Sequence, residues 1–260
     1  MPEWYLLQEE RPFSAAENMA RDEYLFRLCH REKIGFFRLY SWKRPTFSFG
    51  VSQKISRAIN IDFIRKRDCA YVRRITGGKT VLHHREITYS VVSSEAIFFE
   101  ENDLYKSYML ISNVIIRAFK MIGLEAGLSK RKTTGLAKSN RPCFSFPTPN
   151  EIEIKGKKIV GSAQKRDKHA LLQHGSIPIS MDYDLYAGGS NSRRSFIEAN
   201  MVTLSELSDK SGDALIEPLV KSFQDFIGED FKSYEFGKAD KNELEEIIQK
   251  YHSRDWNFCI

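Results

Sequence analysis

The chain has 260 residues, of which 42% are hydrophobic and 28% charged, and its net charge is +6. This length fits one large α/β domain with at most a small appendage, and no apolar run approaches the roughly 20 residues that span a bilayer. The N-terminus lacks the basic start and apolar centre of a secretory signal, and the four cysteines form no CxxC pair. We therefore expect a cytoplasmic protein with no membrane segment, disulfide framework or metal site.

The basic residues lie in short clusters along the chain, and no nucleic-acid-binding motif accompanies them. A basic surface attracts nucleic acid, anionic lipid or an acidic protein. We expect no nucleic-acid partner here and favour an acidic protein substrate.

Predicted strands and helices alternate along the chain. The first are an edge strand at 4–7, a helix from the capping box Ser14-Ala-Ala-Glu17 to about residue 30, strands at 34–40, 45–49 and 70–75, and a short helix capped by Asn60. A long helix starts at Asp103 and ends at Gly123, and its apolar stripe (Leu104, Tyr108, Ile111, Ile115, Ala118, Ile122) indicates core packing, as do Met19, Phe26 and Cys29 in the first helix. Segments 127–140 and 188–194 are predicted to be exposed loops, and 214–227 and 242–251 to be helices. The expected organisation is a single domain over 1–260, with 211–260 as a short helical extension.

A glycine pair follows the strand that ends in two arginines, in the stretch Arg73-Arg74-Ile-Thr76-Gly77-Gly78-Lys79-Thr80. Paired glycines let backbone N–H groups approach a carbonyl or phosphate closely, and the flanking cations favour anions. A plain hairpin turn explains the same residues. His83 and His84 come next, and no partner ligands at metal-binding spacing accompany them.

A candidate nucleophile, Cys143, opens the stretch that runs to Ile179. Residues 151–154 and 158–163 read as two strands around the turn Lys155-Gly156-Lys157, and 171–179 reads as a third strand beside them in the same sheet. Lys158 is expected at the start of an inner strand whose face is kept thin by Gly161, Ser162 and Ala163, so a ligand has room to approach. A single cysteine is also compatible with a buried small hydrophobe.

The two blocks RRITGGKTVLHHREITYSVV (73–92) and KKIVGSAQKR…LLQHGSIPI (157–179) resemble the signature blocks of the biotin/lipoate protein ligase and transferase family. The similarity extends over roughly residues 4–210 through TFSFGVSQ, ENMARDEYLF and MVTLSEL. It implies an α/β (α+β) catalytic domain, with a mixed β-sheet flanked by helices and a cleft that holds an acyl chain. The substrate-binding residues implied are Arg73, Arg74, Thr76, Gly77, Gly78, Lys79 and His83 in the first block, and Gly161, Ser162, Ala163, His174 and Gly175 in the second.

The setting of Cys143, RPCFSFPTPNEIEI, is similar to that of the cysteine-dependent octanoyltransferases of this family. The resemblance implies that Cys143 carries the acyl group as a thioester. Lys158 is expected to lower the pKa of this thiol and to contact the thioester carbonyl. Lys79, Thr80 and His84 differ from the residues usual at these positions in the ligases of the family, and a basic residue after the glycine pair resembles the transferase branch.

The implied reaction moves an octanoyl group from octanoyl-acyl carrier protein to the lysine of an apo lipoyl domain, such as glycine cleavage H protein or a subunit of a 2-oxoacid dehydrogenase. It requires no cofactor, and the enzyme is expected to be a monomer. Three alternatives stay open: an amidotransferase that moves acyl groups between lipoyl domains, an ATP-dependent lipoate ligase, and a non-catalytic binding protein that keeps only the fold.

Overall fold

The computed structural model describes residues 3–98, 104–130, 143–145, 151–209 and 212–259. The strands in these ranges are β1 (Trp4–Gln8), β2 (Gly35–Tyr40), β3 (Thr46–Phe49), β4 (Ala70–Arg73), β5 (Val81–His83), β6 (Glu86–Ser93), β7 (Gly127–Leu128), β8 (Ile152–Ile154), β9 (Lys157–Lys158), β10 (Gly161–Arg166), β11 (Leu171–Pro178) and β12 (Lys232–Ser233). The α-helices are α1 (Ala15–Glu32), α2 (Ile55–Ala58), α3 (Ile61–Lys66), α4 (Leu104–Met121), α5 (Tyr183–Gly189), α6 (Arg194–Asn200), α7 (Ile216–Ile227), α8 (Lys238–His252) and α9 (Arg254–Phe258). Short 3-10 turns lie at Ala96–Phe98, Cys143–Ser145, Leu204–Glu206 and Gly212–Leu215.

The main sheet has six strands in the order β10-β11-β6-β2-β1-β12. It is mixed, because β1 runs parallel to β2 and β12 whereas β2, β6, β11 and β10 pair antiparallel. The mixed sheet predicted from the resemblance is therefore confirmed. The prediction that 4–7 is an edge strand is wrong, because the C-terminal strand β12 pairs with Tyr5 and Leu6.

Helices cover both faces of this sheet. Phe37 packs with Ile115 of α4 and Phe223 of α7 in one hydrophobic cluster, whereas Phe36 packs with Leu25 of α1 and Ile247 of α8 in another. Neighbouring residues of a strand point to opposite faces, so the apolar pair Phe36-Phe37 anchors both layers. The prediction that helices flank the sheet is confirmed.

Two small three-stranded sheets, β4-β3-β5 and β7-β8-β9, hold the loops of the site. The predicted hairpin turn is present, with Lys155 and Gly156 both at positive φ between β8 and β9. The single strand predicted at 158–163 is wrong. Lys158 ends the edge strand β9, buried Ile159 and Val160 carry the chain between sheets, and only β10 lies beside β11 as expected.

Local helix signals were reliable. Ser14 and Glu17 form the predicted capping box of α1, and Gly123 follows α4 with φ 83°. The apolar stripe of α4 is buried at Ile111, Ile115 and Ala118, while its predicted start at Asp103 lies outside the described residues. Along the part of the chain that the structure describes, no helix combines the length and apolar character needed to cross a bilayer.

Two predicted exposed loops are corrected. Residues 127–128 form β7. Ser129 is buried, and its N–H donates to the Glu151 carbonyl next to β8. The rest of that segment, 131–140, lies outside the described residues. Residues 188–189 belong to α5 and Arg194 starts α6, so the predicted loop at 188–194 is confined to residues 190–193. Gly189 is buried under the ring of Phe47, where a larger residue would clash.

Candidate active site

Cys143 and Lys158 lie side by side. The Nζ of Lys158 is 3.1 Å from the Cys143 sulfur and 3.2 Å from the Cys143 carbonyl oxygen. Lys158 is buried, whereas Cys143 is half-buried. At this distance an ammonium group stabilises negative charge on sulfur and on a neighbouring oxygen.

Backbone contacts fix the position of Cys143. Its N–H donates to the carbonyl oxygen of Thr80 over 2.8 Å, and the hydroxyl of Tyr186 donates to the same oxygen over 2.9 Å. The Thr80 hydroxyl donates in turn to the carbonyl of Ala58. Thr80, which departs from the family pattern, therefore connects Cys143 to α2.

Glycine at position 161 makes room for this loop. A Cβ there would lie 2.8 Å from the buried ring of Phe144 and 3.5 Å from the Cys143 sulfur. β10 therefore approaches Cys143 closely, as the small residues of its face predicted, although Lys158 belongs to a different sheet.

Glu151 is a site residue that the sequence reading missed. Its carboxylate forms an ion pair with the Lys158 ammonium. Burial disfavours the charged lysine, but the negative charges of Cys143 and Glu151 outweigh burial and raise the pKa of Lys158. The available signal was the carboxylate immediately before β8, which the β8–β9 hairpin places beside Lys158.

The Gly77-Gly78 loop is held by Arg74. This guanidinium is buried and donates to the carbonyls of Gly77 and Lys79, each over 2.8 Å. Burial lowers the pKa of Arg74 to about 10. Gly78 takes φ 85°, and a Cβ at this position would lie 3.5 Å from the Cβ of Ala163, so the loop lies against β10.

A cleft opens between these elements. The predicted site residues that line it are Arg74, His83, Cys143, Gly161, Ser162, Ala163, His174 and Gly175. The antiparallel register pairs Ser162 with Gly175 and Ala163 with His174, which explains why the second block converges there. Met19 also lines the cleft, in addition to the core packing assigned to it.

Arg73 lies elsewhere. Its buried guanidinium donates to the carbonyls of Val51 and Gln53 on one side and of Trp256 and Asn257 on the other. These contacts join α9 to the loop after β3, so the structure gives Arg73 the position of a structural bridge and not of a cleft residue. Lys79 is half-buried and Gly77 and Gly78 are on the loop itself, whereas Thr76 is buried beneath it.

Each cleft histidine contacts a buried carboxylate. His174 Nδ1 is 2.8 Å from Asp22, and His83 Nδ1 is 2.7 Å from Glu86. Sequence reasoning missed both acids; the signal for Asp22 was its position on α1 four residues after Asn18, which is also buried. In the described ranges, no group of three or more His, Cys, Asp or Glu side chains is arranged to hold a metal ion.

The fold and cleft define a class of protein. A sequence model described as the lipoyl protein ligase A/B catalytic domain matches residues 14–238, and the chain belongs to this family.

Curated relatives narrow the comparison. The chain is 34% identical to octanoyltransferase LipM from Bacillus anthracis, and the match covers 94% of each chain. It is 33% identical to octanoyltransferase LipM from Kyrpidia tusciae, and the match covers 99% of each chain.

Solved structures support the fold. A putative lipoate protein ligase from T. acidophilum with bound lipoic acid superimposes with a TM-score of 0.85 at 22% identity over 99% of each chain. A lipoate-protein ligase A bound with ATP gives 0.84 at 22% identity over 98% of each chain. At this identity the similarity establishes the lipoate ligase catalytic-domain fold alone.

Proposed function

We propose that this protein is an octanoyltransferase that moves an octanoyl group from octanoyl-acyl carrier protein to the lysine of an apo lipoyl domain, through a thioester on Cys143. One observation carries the proposal: the Lys158 ammonium lies 3.1 Å from the Cys143 sulfur. The same chain matches curated relatives that are named octanoyltransferases, and these matches cover 94% or more of both chains.

In the first half-reaction the Cys143 thiolate attacks the carbonyl carbon of the donor thioester. The bond from this carbon to the phosphopantetheine sulfur breaks, and the departing thiolate takes up a proton. Negative charge moves from the Cys143 sulfur to the carbonyl oxygen in the tetrahedral intermediate. Lys158 is close enough to stabilise charge at both positions.

In the second half-reaction the neutral ε-amine of the acceptor lysine attacks the octanoyl thioester. The carbon–sulfur bond to Cys143 breaks, the thiolate is regenerated beside Lys158, and the nitrogen loses a proton as the amide forms. A thioester already stores the energy needed to form an amide, so the proposed reaction uses neither ATP nor another cofactor.

Three further features support this assignment. The hydrogen bond from the Cys143 N–H to Thr80 holds the nucleophile in one position, which lowers the entropic barrier to attack. Cys143 is half-buried, so an acyl group carried on a flexible arm has access to it. The net charge of +6 is complementary to acidic carrier and lipoyl domains.

The test is intact-protein mass after incubation with octanoyl-acyl carrier protein in the absence of ATP. Wild type is expected to gain one octanoyl group that hydroxylamine removes, and Cys143→Ser is expected to lack this thioester. Cys259→Ser is the matched control, because Cys259 is exposed and outside the cleft; it should be acylated like wild type.

The outcomes separate the alternatives. An adduct that forms only from an octanoylated lipoyl domain would support the amidotransferase. Acyl transfer that requires ATP and free octanoate, with no adduct on Cys143, would refute the proposal and favour a ligase.

A further inference from the structure

Arg74 is the meeting point of two hydrogen-bonded chains beneath the cleft. Its Nε donates to the hydroxyl of Thr76 over 3.1 Å, and its Nη1 donates to the hydroxyl of Ser48 over 3.0 Å. All three side chains are buried.

The first chain continues from Thr76 to His174 and Asp22. The Thr76 hydroxyl is 2.7 Å from His174 Nε2, and His174 Nδ1 is 2.8 Å from an oxygen of Asp22. Asp22 also accepts hydrogen bonds from Arg38 and Tyr40, each over 2.9 Å.

The second chain repeats this order with different residues. The Ser48 hydroxyl is 2.7 Å from His83 Nε2, and His83 Nδ1 is 2.7 Å from an oxygen of Glu86. Glu86 also accepts from the hydroxyls of Thr88 and Ser176. Each chain therefore runs from guanidinium to hydroxyl to imidazole to carboxylate.

Donor and acceptor chemistry fixes the direction of both chains. Arginine only donates, so each hydroxyl accepts from Arg74 and has its own proton left to donate to the imidazole Nε2. An ionised carboxylate only accepts, so each imidazole donates from Nδ1. Both conditions are met at once by a neutral histidine that carries its proton on Nδ1.

We propose that His83 and His174, both in the neutral Nδ1–H form, are positioning residues that orient Arg74 and through it the Gly77-Gly78 loop at the acyl site. Arg74 transmits the effect because it also donates to the carbonyls of Gly77 and Lys79. The tautomer assignment stands on geometry alone, whereas the effect on acyl transfer rests on the proposed function.

Protonation of either imidazole would disrupt its chain. A proton on Nε2 would end the hydrogen bond that the hydroxyl donates to this nitrogen and leave the buried hydroxyl proton to find another acceptor. The new charge would also lie close to the Arg74 guanidinium. The charged or titratable groups around the two histidines are Asp22 on α1, Arg38 and Tyr40 on β2, Arg74, and Glu86 on β6, and His83 also acts on His174. Burial, together with the charge of Arg74, outweighs Asp22 and lowers the pKa of His174, in agreement with the neutral form.

The tautomers are measurable by NMR of protein labelled with ring-¹⁵N histidine. Six histidines contribute signals, and His83→Gln and His174→Gln assign the two of interest. If either variant fails to fold, the substitution of the neighbouring hydroxyl assigns the ring instead. Ser48→Thr should change the chemical shift of His83, and Thr76→Ser that of His174. Near neutral pH both rings are expected to show a protonated Nδ1 and an unprotonated Nε2. An Nε2–H or doubly protonated ring at either position would overturn the proposal.

The positioning role is tested by the pair Thr76→Val and Thr76→Ser. Valine keeps the shape of threonine without its hydroxyl, so it breaks the first chain, whereas serine keeps the chain. Acylation of Cys143 by octanoyl-acyl carrier protein should slow about tenfold or more in Thr76→Val, because Arg74 and His174 lose a buried partner, and should recover with serine.

Equal rates for the valine and serine variants would refute positioning through Thr76. A wild type that is never acylated would instead refute the proposed function and leave the tautomer result unaffected.

Discussion

Replacement of Lys158 by methionine should slow acylation of Cys143 without removing the nucleophile. At an effective dielectric constant of about 20, unit charges 3.1 Å apart attract by ~5 kcal/mol. Because Cys143 is half-buried and water screens part of this attraction, we expect a loss of about 2 to 4 kcal/mol, which corresponds to a rate reduction of roughly 30- to 1000-fold.

The assay is time-resolved intact mass of the octanoyl adduct, with octanoyl-acyl carrier protein as donor. Lys157→Met is the matched control, because the neighbouring Lys157 ammonium donates to the carbonyl of Glu198 and not to Cys143. Its acylation rate should stay within about threefold of wild type, as is usual for a side chain away from the reacting atoms. Equal slowing in the two variants, or no slowing in Lys158→Met, would refute the role assigned to the ammonium.

Stability must be measured alongside the rate. Lys158→Met removes the ion pair between Lys158 and the Glu151 carboxylate, and breaking a buried pair costs about 3–5 kcal/mol. Glu151 retains some exposure, so the lower end of this range applies. The double variant Lys158→Met with Glu151→Gln should recover most of the unfolding free energy in urea while its acylation stays slow, which separates charge at the sulfur from folding.

Two further predictions concern stability. Asn257→Ala should lower the free energy of unfolding by about 1–3 kcal/mol in urea titrations, because the buried amide accepts from the Arg73 N–H; the same change at exposed Asn242 is the control. As pH falls below 6.5, the ordinary pKa of histidine, the unfolded chain should take up a proton that buried His174 does not, so stability should fall by up to ~1.4 kcal/mol per pH unit. His174→Gln should lack this part of the slope and exposed His252→Gln should keep it; identical slopes in all three proteins would contradict a buried neutral His174.

The parts of the fold that the sequence predicted well have local causes. Ser14 and Glu17 are three residues apart and cap each other, and Lys155-Gly156 forms its turn with no help from distant residues. The approach of Cys143 to Lys158 was predictable from the resemblance. In the similar octanoyltransferases, a cysteine in this setting comes shortly before the strand that carries the lysine. These features could be read before the structure was known.

The missed features depend on distant pairing. Asp22 and His174 are 152 residues apart, and only the packing of α1 against the main sheet brings them together. The separation of β9 from β10 was missed for the same reason. Residues 159–160 are apolar, which fits one continuous strand as well as a connection between two sheets, so the local sequence does not distinguish the two. A search for polar residues among the apolar positions of α1 would have selected Asn18, Asp22 and Glu23 together, without identifying the partner of any of them.

Doublets in the motifs show where local pattern stops being informative. Arg73 and Arg74 are chemically equivalent in the sequence, but Arg73 bridges α9 to the loop after β3 while Arg74 holds the Gly77-Gly78 loop. Lys157 and Lys158 differ in the same way. Lys157 donates to the Glu198 carbonyl of α6, whereas Lys158 lies beside the Cys143 sulfur.

Consecutive residues in an extended chain point to opposite sides, so a doublet places one charge in the site and the other in the scaffold that supports it. Strand register decides which lysine of the pair lies beside Cys143. A shift of one residue in β9 would therefore exchange Lys158 for Lys157 at Cys143 and leave the composition of the motif unchanged. The β8–β9 turn sets this register. Lys155 and Gly156 therefore determine which lysine lies beside the Cys143 thiol, although they do not contact it themselves.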